Sequence, residues 1–152
     1  SIGPLLRAPL RMVEILQACV AEADLVFCAA STPTPILGNG PVSPRTHLSV
    51  MAGDPRTAQL EFGLLRDRPV VVDEPAQAAN SGEFRIAREV GRDGEIAFAR
   101  DETGRIQTIG DAANGRLESL RGRGAIAYFT GLAIQDLHAA VTIHERVRMR
   151  RT

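Results

Sequence analysis

The sequence predicts an α/β protein built on a Rossmann-like parallel sheet, the second half of a dinucleotide-binding domain, with a long C-terminal helix. Three short apolar runs, residues 24–29, 46–51 and 70–73, predict parallel strands that are neighbours in the sheet. Each run contains a largely continuous apolar stretch rather than an alternation, as is typical of parallel strands covered on both faces. Segments of helical length separate strands of this kind in βαβ units, which favours right-handed crossovers.

Helices are predicted before the first strand and between the later ones. Five apolar residues at helical spacing predict an amphipathic helix over residues 11–22, namely Met12, Val13, Leu16, Cys19 and Val20. A second helix is predicted over residues 56–66, since Pro55 suits a first turn and Asp54 is a good N-cap. Asp54 can therefore be interpreted as an N-cap with a purely structural role, and this alternative stays open alongside a functional role.

The middle of the chain is the hardest part to assign. A polar helix-like segment is expected through Ala79, followed by a turn at residues 81–84. Glycines among alternating charges in residues 85–108 indicate surface loops or a hairpin, with residues 96–99 and 105–108 as its strands.

Residues 125–150 predict one long helix. Its wide apolar stripe consists of Ile126, Phe129, Leu132, Ala133, Leu137, Ala140, Val141, Ile143 and Val147. A stripe of this length is more than a minor surface helix needs, so we expect it to pack on another domain or subunit. The predicted organisation is a partial Rossmann-like domain over residues 1–124 and a C-terminal helix over residues 125–152. His138 and His144 flank the stripe and are predicted to be exposed or satisfied rather than metal ligands.

Composition excludes several classes of function. The formal net charge is zero and the pI is near 6.8, so no nucleic-acid partner is predicted. The arginine-rich stretch at residues 146–151 is expected to complement a helix dipole. All 18 basic residues are Arg, and the absence of Lys excludes a Schiff-base, P-loop or pyridoxal-anchoring lysine. Cys19 and Cys28 are predicted to be small buried hydrophobes, and no metal site is expected.

Nothing in the sequence predicts a membrane partner. No hydrophobic run approaches the roughly 20 residues of a membrane span, and no signal peptide is apparent. We therefore expect a cytoplasmic protein.

The candidate site lies where the predicted strands end. Ligands of open α/β sheets bind at the carboxyl ends of the strands. The first two strands run into small or polar residues, 29–32 and 52–54, and the third ends at Asp73 and Glu74. Two prolines force residues 31–35 into an extended loop, while the Gly38 to Pro41 segment predicts a turn rather than a dinucleotide fingerprint.

Six segments, taken in order, resemble the ornithine cyclodeaminase/mu-crystallin family. They are ADLVFCAASTPTPIL, PRTHLSVMAGD, QLEFGLL, VVVDE, SGEF and GLAIQDLHAAVTIHERV. The resemblance covers most of the chain from about residue 20 onward, and it matches the second half of that family's NAD(P)-binding domain plus its closing helix. The family comprises NAD(P)-dependent cyclic ketimine reductases, amino-acid dehydrogenases, and a cyclodeaminase that uses bound NAD catalytically. The resemblance implies NAD or NADP as cofactor and a small cyclic imine or amino acid as substrate. It also implies a homodimer or a missing N-terminal domain as partner.

The resemblance also assigns site residues. It implies that the backbone of Ala30, Ser31 and Thr32 lies against the ribose and pyrophosphate of the cofactor. Ala52 and Gly53 match small residues near the nicotinamide. Asp54 resembles the aspartate that serves as general acid/base beside that ring, where a carboxylate can shuttle a proton while hydride moves.

The chain departs from the family pattern at several points. The glycine-rich pyrophosphate-binding turn and the family's substrate-binding lysine and arginine are absent. Gln59 replaces the usual Glu, Tyr128 and Phe129 replace Lys-Ser, and the loop at Asp54 is about one residue short. Two functions are predicted: part of a ketimine reductase or cyclodeaminase-like enzyme, or a non-catalytic binding or oligomerisation module. In either case the isolated chain should bind NAD(P)H weakly or not at all.

Overall fold

The computed structural model describes residue 12 and residues 14–149 of the chain. The strands are β1 (Leu25–Cys28), β2 (His47–Met51), β3 (Val70–Val72) and β4 (Ile126–Phe129). The helices are α1 (Leu16–Ala21), α2 (Phe62–Asp67), α3 (Pro75–Ala78), α4 (Gly82–Glu89), α5 (Ile109–Ala113) and α6 (Ala133–Met149). Short 3₁₀ turns lie at Asp93–Glu95 and Glu118–Leu120.

The four strands form one parallel sheet in the order β1-β2-β4-β3. This confirms the α/β fold class and the three predicted strands. The expectation that all three would be direct neighbours is wrong, because β4 lies between β2 and β3. Among the described residues β1 pairs only with β2, so it forms one edge of the sheet.

The predicted helix over residues 125–150 is wrong in its first part. Residues 126–129 are the strand β4, and the helix begins only at Ala133. Leu48 N–H donates to Ala125 O at 2.9 Å, and Ile126 N–H donates to Pro69 O at 2.8 Å. Hydrogen bonds to neighbours on both sides therefore hold this segment extended, and Gly131, at φ +79°, lies between strand and helix.

The hydrophobic core lies on one face of the sheet. Its inward side chains, fully or almost fully buried, pack with Leu64 and Leu65 of α2 and Phe84 of α4; they are Leu48, Val50, Val70, Val72, Ile126 and Tyr128. Because side chains alternate along a strand, the intervening residues point to the other face. There Leu25 is 53% exposed, Phe27 70% and Met51 59%. Among the described residues, the expected cover on this second face is thus missing over Leu25, Phe27 and Met51.

Two of the other predicted elements are shorter than expected, and one differs in kind. The first helix covers Leu16–Ala21 within the predicted residues 11–22, of which 11 and 13 lie outside the described part. The helix predicted over residues 56–66 begins only at Phe62. Residues 81–84 are not a free turn but lead into α4, where an added Cβ on Gly82 would lie 1.6 Å from Thr57 O.

The predicted hairpin is present only as isolated β-bridges. Arg100 pairs antiparallel with Ile106 around a turn containing Gly104, whose φ is +84°. Phe98 and Thr108 instead form parallel bridges to β3. The expected strands at residues 96–99 and 105–108 are therefore wrong, because these segments extend the sheet at single positions only.

The helix α6 buries none of its side chains. Ile134, Leu137 and Ile143 are 64%, 58% and 63% exposed, and both histidines of the helix are exposed, as predicted. That this stripe packs on another domain or subunit stays a prediction. Of the two cysteines Cys28 is buried, whereas Cys19 is exposed and was assigned wrongly. Within residue 12 and residues 14–149, no helix is long and apolar enough to cross a membrane.

Candidate functional site

The loops that follow β1 and β2 are joined by one buried side chain, Gln59. Ala30 N–H donates to Gln59 Oε1 at 2.8 Å, and Gln59 Nε2 donates to Met51 O at 2.9 Å. Ala58 N–H donates to Thr32 O at 2.8 Å, which fastens the first loop a second time. The segments 30–32 and 52–54 therefore lie side by side at the carboxyl edge of the sheet, where ligands of open α/β sheets bind.

A buried carboxylate holds Gln59 in place. Glu83 Oε1 accepts from Gln59 N–H at 2.6 Å and Leu60 N–H at 3.2 Å, while Glu83 Oε2 accepts from Tyr128 Oη–H at 2.5 Å. Burial, together with the charge of Glu83, raises the pKa of Tyr128, so the phenol stays a donor. Glu83, in the segment predicted as a turn, was missed. Gln59 and Tyr128 stand out in the sequence only as departures from the family pattern, and nothing in the sequence indicates that both bind Glu83.

Gly53 allows two strand ends to approach closely. Ala52 N–H donates to Phe129 O at 2.9 Å, and a Cβ added to Gly53 would lie 2.3 Å from Thr130 O. A glycine is thus required here by backbone packing. Its place near a nicotinamide ring, which the resemblance implies, stays a prediction.

Asp73, at the end of β3, anchors the loop after β4. Its carboxylate accepts from Thr130 N–H and Thr130 Oγ1–H, both at 2.8 Å, and from Gly131 N–H at 3.3 Å. Gln77 Nε2 donates to Gly131 O at 3.0 Å. The third strand end therefore belongs to the same edge, as predicted, and it fixes the segment that leads into α6.

Asp54 does not cap a helix. Its Oδ1 accepts from Arg56 N–H at 2.9 Å and Nε–H at 3.0 Å, and Arg56 Nη2 donates to Oδ2 at 2.8 Å. The structural interpretation as N-cap of the 56–66 helix is wrong, because these bonds close a tight turn well before α2. The hydrogen bonds from the Arg56 side chain, followed by that from its backbone, lower the pKa of Asp54 to about 2. Asp54 is therefore a carboxylate at neutral pH.

The edge offers a limited chemistry. Ser31 and Gly53 are exposed, Ala52 is buried, and Ala30, Thr32 and Asp54 are half-buried, so small residues leave much of the backbone accessible. Beside the Asp73 carboxylate, which is bound to Thr130, the segment next to Gly53 carries one carboxylate and one guanidinium, Asp54 and Arg56. The described residues hold no cluster of His, Cys, Asp and Glu suited to a metal ion. Such an edge can receive a flat ring and can accept or transfer a proton.

A family model matches this chain over residues 7–151; its description is ornithine cyclodeaminase/mu-crystallin family. The chain belongs to the ornithine cyclodeaminase/mu-crystallin family. The fold and the carboxyl-edge loops described above are thus those of a family member.

Relatives of this family member support the same fold. Iminosuccinate reductase from Paracoccus denitrificans (strain Pd 1222) is 30% identical over 142 residues, which are 90% of this chain and 41% of the reductase. A probable ornithine cyclodeaminase from Bordetella pertussis Tohama I superposes with a TM-score of 0.77 at 22% identity, over 99% of this chain and 47% of its own.

Two further solved structures hold ligands. A Thermococcus litoralis Δ¹-pyrroline-2-carboxylate reductase in complex with NADH and L-proline has a TM-score of 0.73 at 19% identity, covering 92% of this chain and 42% of its own. An archaeal alanine dehydrogenase dimer with bound NAD has a TM-score of 0.64 at 26% identity, over 85% of this chain and 39% of its own. This family member therefore spans less than half the length of these relatives.

Proposed function

We propose that this chain is part of an NAD(P)-dependent oxidoreductase that reduces a cyclic ketimine of the pyrroline-2-carboxylate type, or of an ornithine cyclodeaminase-like enzyme. One observation carries the proposal: Gln59 holds the loops after β1 and β2 together at the carboxyl edge. That edge is where an open α/β sheet binds its ligand. The relatives support the same chemistry, since two are reductases of imine-containing acids by name and two neighbours hold NAD or NADH.

The residues present fit one part of the cofactor. The exposed backbone around Ser31 suits the ribose and pyrophosphate side, with Ala30 and Thr32 beside it. Ala52 and Gly53 present small groups where a nicotinamide ring would lie. NAD or NADP, when bound, supplies the hydride. The sequence holds no G-x-G-x-x-G turn, so the remaining phosphate contacts must come from residues outside this chain.

Asp54 is the proposed proton-transfer residue. Reduction of an imine adds hydride to carbon and a proton to nitrogen, so a proton donor is needed beside the ring. Asp54 directly follows Ala52 and Gly53 in the loop after β2, which favours this role. Because Arg56 holds it as a carboxylate, Arg56 must release Asp54 before that carboxyl group can carry a proton. The Arg56 side chain is 86% exposed and is free to turn away.

The uncovered surfaces favour a larger assembly. We propose that the exposed face of β1 and β2 and the apolar stripe of α6 are covered by a further N-terminal domain or by a second copy of the chain. The chain spans 41% of the Paracoccus denitrificans reductase and 47% of the probable ornithine cyclodeaminase from Bordetella pertussis, which is consistent with a further domain.

A non-catalytic binding or oligomerisation module is the second candidate. The closed pair of Asp54 and Arg56 favours it, because a carboxylate with a pKa of about 2 carries no proton to donate at neutral pH. In this case the edge serves only to bind or to support a neighbouring subunit.

Asp54→Asn separates the two functions. In the longest natural polypeptide that contains this chain, NADH oxidation with pyrroline-2-carboxylate should fall about 10²–10⁴-fold, since an amide cannot exchange the proton. Asp54→Ser should behave alike. Asp67→Asn is the matched control, because Asp67 also forms an exposed ion pair with an arginine. It lies at the end of α2, just before the amino end of β3 and so opposite the carboxyl edge. Parental turnover in Asp54→Asn would refute the proton-transfer role, and a parent without turnover would favour the module.

A further inference from the structure

Gln59 stands out because its side chain bridges two main-chain groups of opposite character. Ala30 N–H is a donor and Met51 C=O is an acceptor, and the Gln59 amide meets them with one oxygen and one nitrogen at 2.8 and 2.9 Å. Gln59 is 1% exposed, so water cannot replace either contact. A buried polar group left without its partner is costly, so this position requires a neutral group that accepts one hydrogen bond and donates another.

The rest of the residue is fixed as firmly as its side chain. Gln59 O accepts from Ile36 N–H at 3.0 Å and Leu37 N–H at 3.1 Å, so it also holds the far end of the loop after β1. Glu83, 4% exposed, binds Gln59 N–H from α4, and Tyr128, fully buried on β4, binds Glu83. The main chain of Gln59 is thus attached to the helical layer and, through Tyr128, to the centre of the sheet.

We propose that Gln59 is a positioning residue, whose amide sets the spacing between the loops at residues 30–32 and 52–54. This inference rests on the proposed function, in which the two loops contact different parts of one dinucleotide. Glu83, itself bound by Tyr128, holds the main chain of Gln59 and so acts on the loops through Gln59. Loss of the amide lets the loops separate while the sheet below them stays formed.

Gln59→Glu tests the role of the amide at almost constant shape. A protonated carboxyl group can still accept from Ala30 and donate to Met51, whereas a carboxylate presents two acceptors and repels the Met51 carbonyl. Among the described residues, hydrogen bonds bring Glu83 to this position and Tyr128 to Glu83, and Cys28 precedes Ala30 by two residues. Burial and then the charge of Glu83 raise the pKa of Cys28. Burial and the Glu83 carboxylate therefore raise the pKa of the introduced group in the folded chain above its unfolded value.

The sign of the pH dependence follows from that shift. We call the contacts of residue 59 with Ala30 and Met51 the junction. In Gln59→Glu the junction is fully formed below the unfolded pKa of the introduced group, about 4.3. It is lost as the pH rises through the raised pKa of that group in the folded chain. Above that point opening of the junction should increase about tenfold per pH unit until the loops are free. In the parent chain the neutral amide predicts no such change.

Hydrogen exchange in the purified chain measures this directly. The Ala30 amide of Gln59→Glu should match the parent at about pH 5 and lose at least about tenfold of its protection by about pH 8. The Val50 amide, in the middle of β2, reports opening of the sheet and should stay as in the parent. Gln107→Glu is the matched control, because it makes the same one-atom change at a buried amide that donates to the Arg116 carbonyl, away from the two loops. That control should leave the Ala30 amide unchanged.

Two outcomes overturn the proposal. One is parental protection of Ala30 in Gln59→Glu at every pH. The other is an equal loss at Ala30 and Val50, which would make Gln59 a stabilising residue and nothing more. If Gln59→Glu does not fold, Tyr128→Phe provides the same comparison, since it removes one donor from Glu83 and should again loosen Ala30 more than Val50.

A kinetic measurement keeps this inference separate from the proposed function. In the longest natural polypeptide, Gln59→Glu should raise KM for NADH at about pH 8 by tenfold or more, with the value restored at about pH 5. Gln107→Glu should show neither effect. A parent without turnover would refute the enzyme, but the exchange experiment in the chain would still support or overturn the role of Gln59.

Discussion

Gly53→Ala tests how closely the carboxyl edge is packed. An added Cβ would lie 2.3 Å from Thr130 O, whereas an ordinary contact is at least 3.4 Å. One of the two loops must therefore move by about 1 Å. Thr130 cannot move easily, because Asp73 accepts from both its N–H and its hydroxyl at 2.8 Å.

Such overpacking costs about 1–3 kcal/mol of unfolding free energy. For a chain of this size each kcal/mol shifts Tm by about 2–4 °C, so Tm should fall by about 2–12 °C. Thermal unfolding followed by circular dichroism gives the value. In an Asp73→Ala background the loop can yield, and the cost of Gly53→Ala should shrink by at least about 0.5 kcal/mol.

Gly40→Ala is the control, because no heavy atom lies within 4 Å of its added Cβ and its φ is not in the left-handed region. It should change stability by between zero and about +1 kcal/mol, through the unfolded chain alone. Equal Tm values for the two variants would show that the approach of Gly53 to Thr130 is not real.

Three further outcomes are expected. Calorimetry of the purified chain with NADH should show no micromolar binding, about −8 kcal/mol, since no pyrophosphate-binding turn is present; a micromolar Kd would contradict this. Arg56→Ala should raise the pKa of Asp54 from about 2 toward its ordinary 3.8, as read from its carboxyl carbon by NMR. The ion pair of Asp54 and Arg56 is stabilising above about pH 4, and this stabilisation is lost as the pH falls toward 2. An unchanged pKa of Asp54 in Arg56→Ala would show that the pair does not form. Leu137→Asp should change the elution size or solubility of the chain if the α6 stripe is an interface, and identical behaviour would refute that role.

The fold was predictable where local pattern and tertiary structure agree. The runs that form β1, β2 and β3 are short and largely apolar. Their carboxyl ends define one edge of the sheet in both the predicted and the observed strand order. The strand β4 was missed because Ile126, Phe129 and Ala133 also satisfy helical spacing. Only pairing with residues more than 50 positions away makes this segment extended.

The candidate site was predictable in position but not in detail. The segments at 30–32 and 52–54 follow predicted strands, so their proximity could be expected. The bond from Ala30 to Gln59 joins residues 29 positions apart, and no local pattern announces it. Asp54 followed by Pro55 suits a helix start as well as a tight turn, and the turn prevails because residues 58–61 are bound to the loop after β1 and to Glu83.

The open edge of β1 makes the measured stability of this chain depend on its surroundings. Peptide groups along Leu25–Cys28 have no second strand among the described residues, and Phe27 beside them is largely exposed. Whatever covers this edge binds the folded chain and not the unfolded one, so it raises Tm by mass action. An unfolding temperature measured on the chain alone is therefore a lower limit. Without a cover, the same edge favours strand addition between copies, so refolding yield should fall as concentration rises.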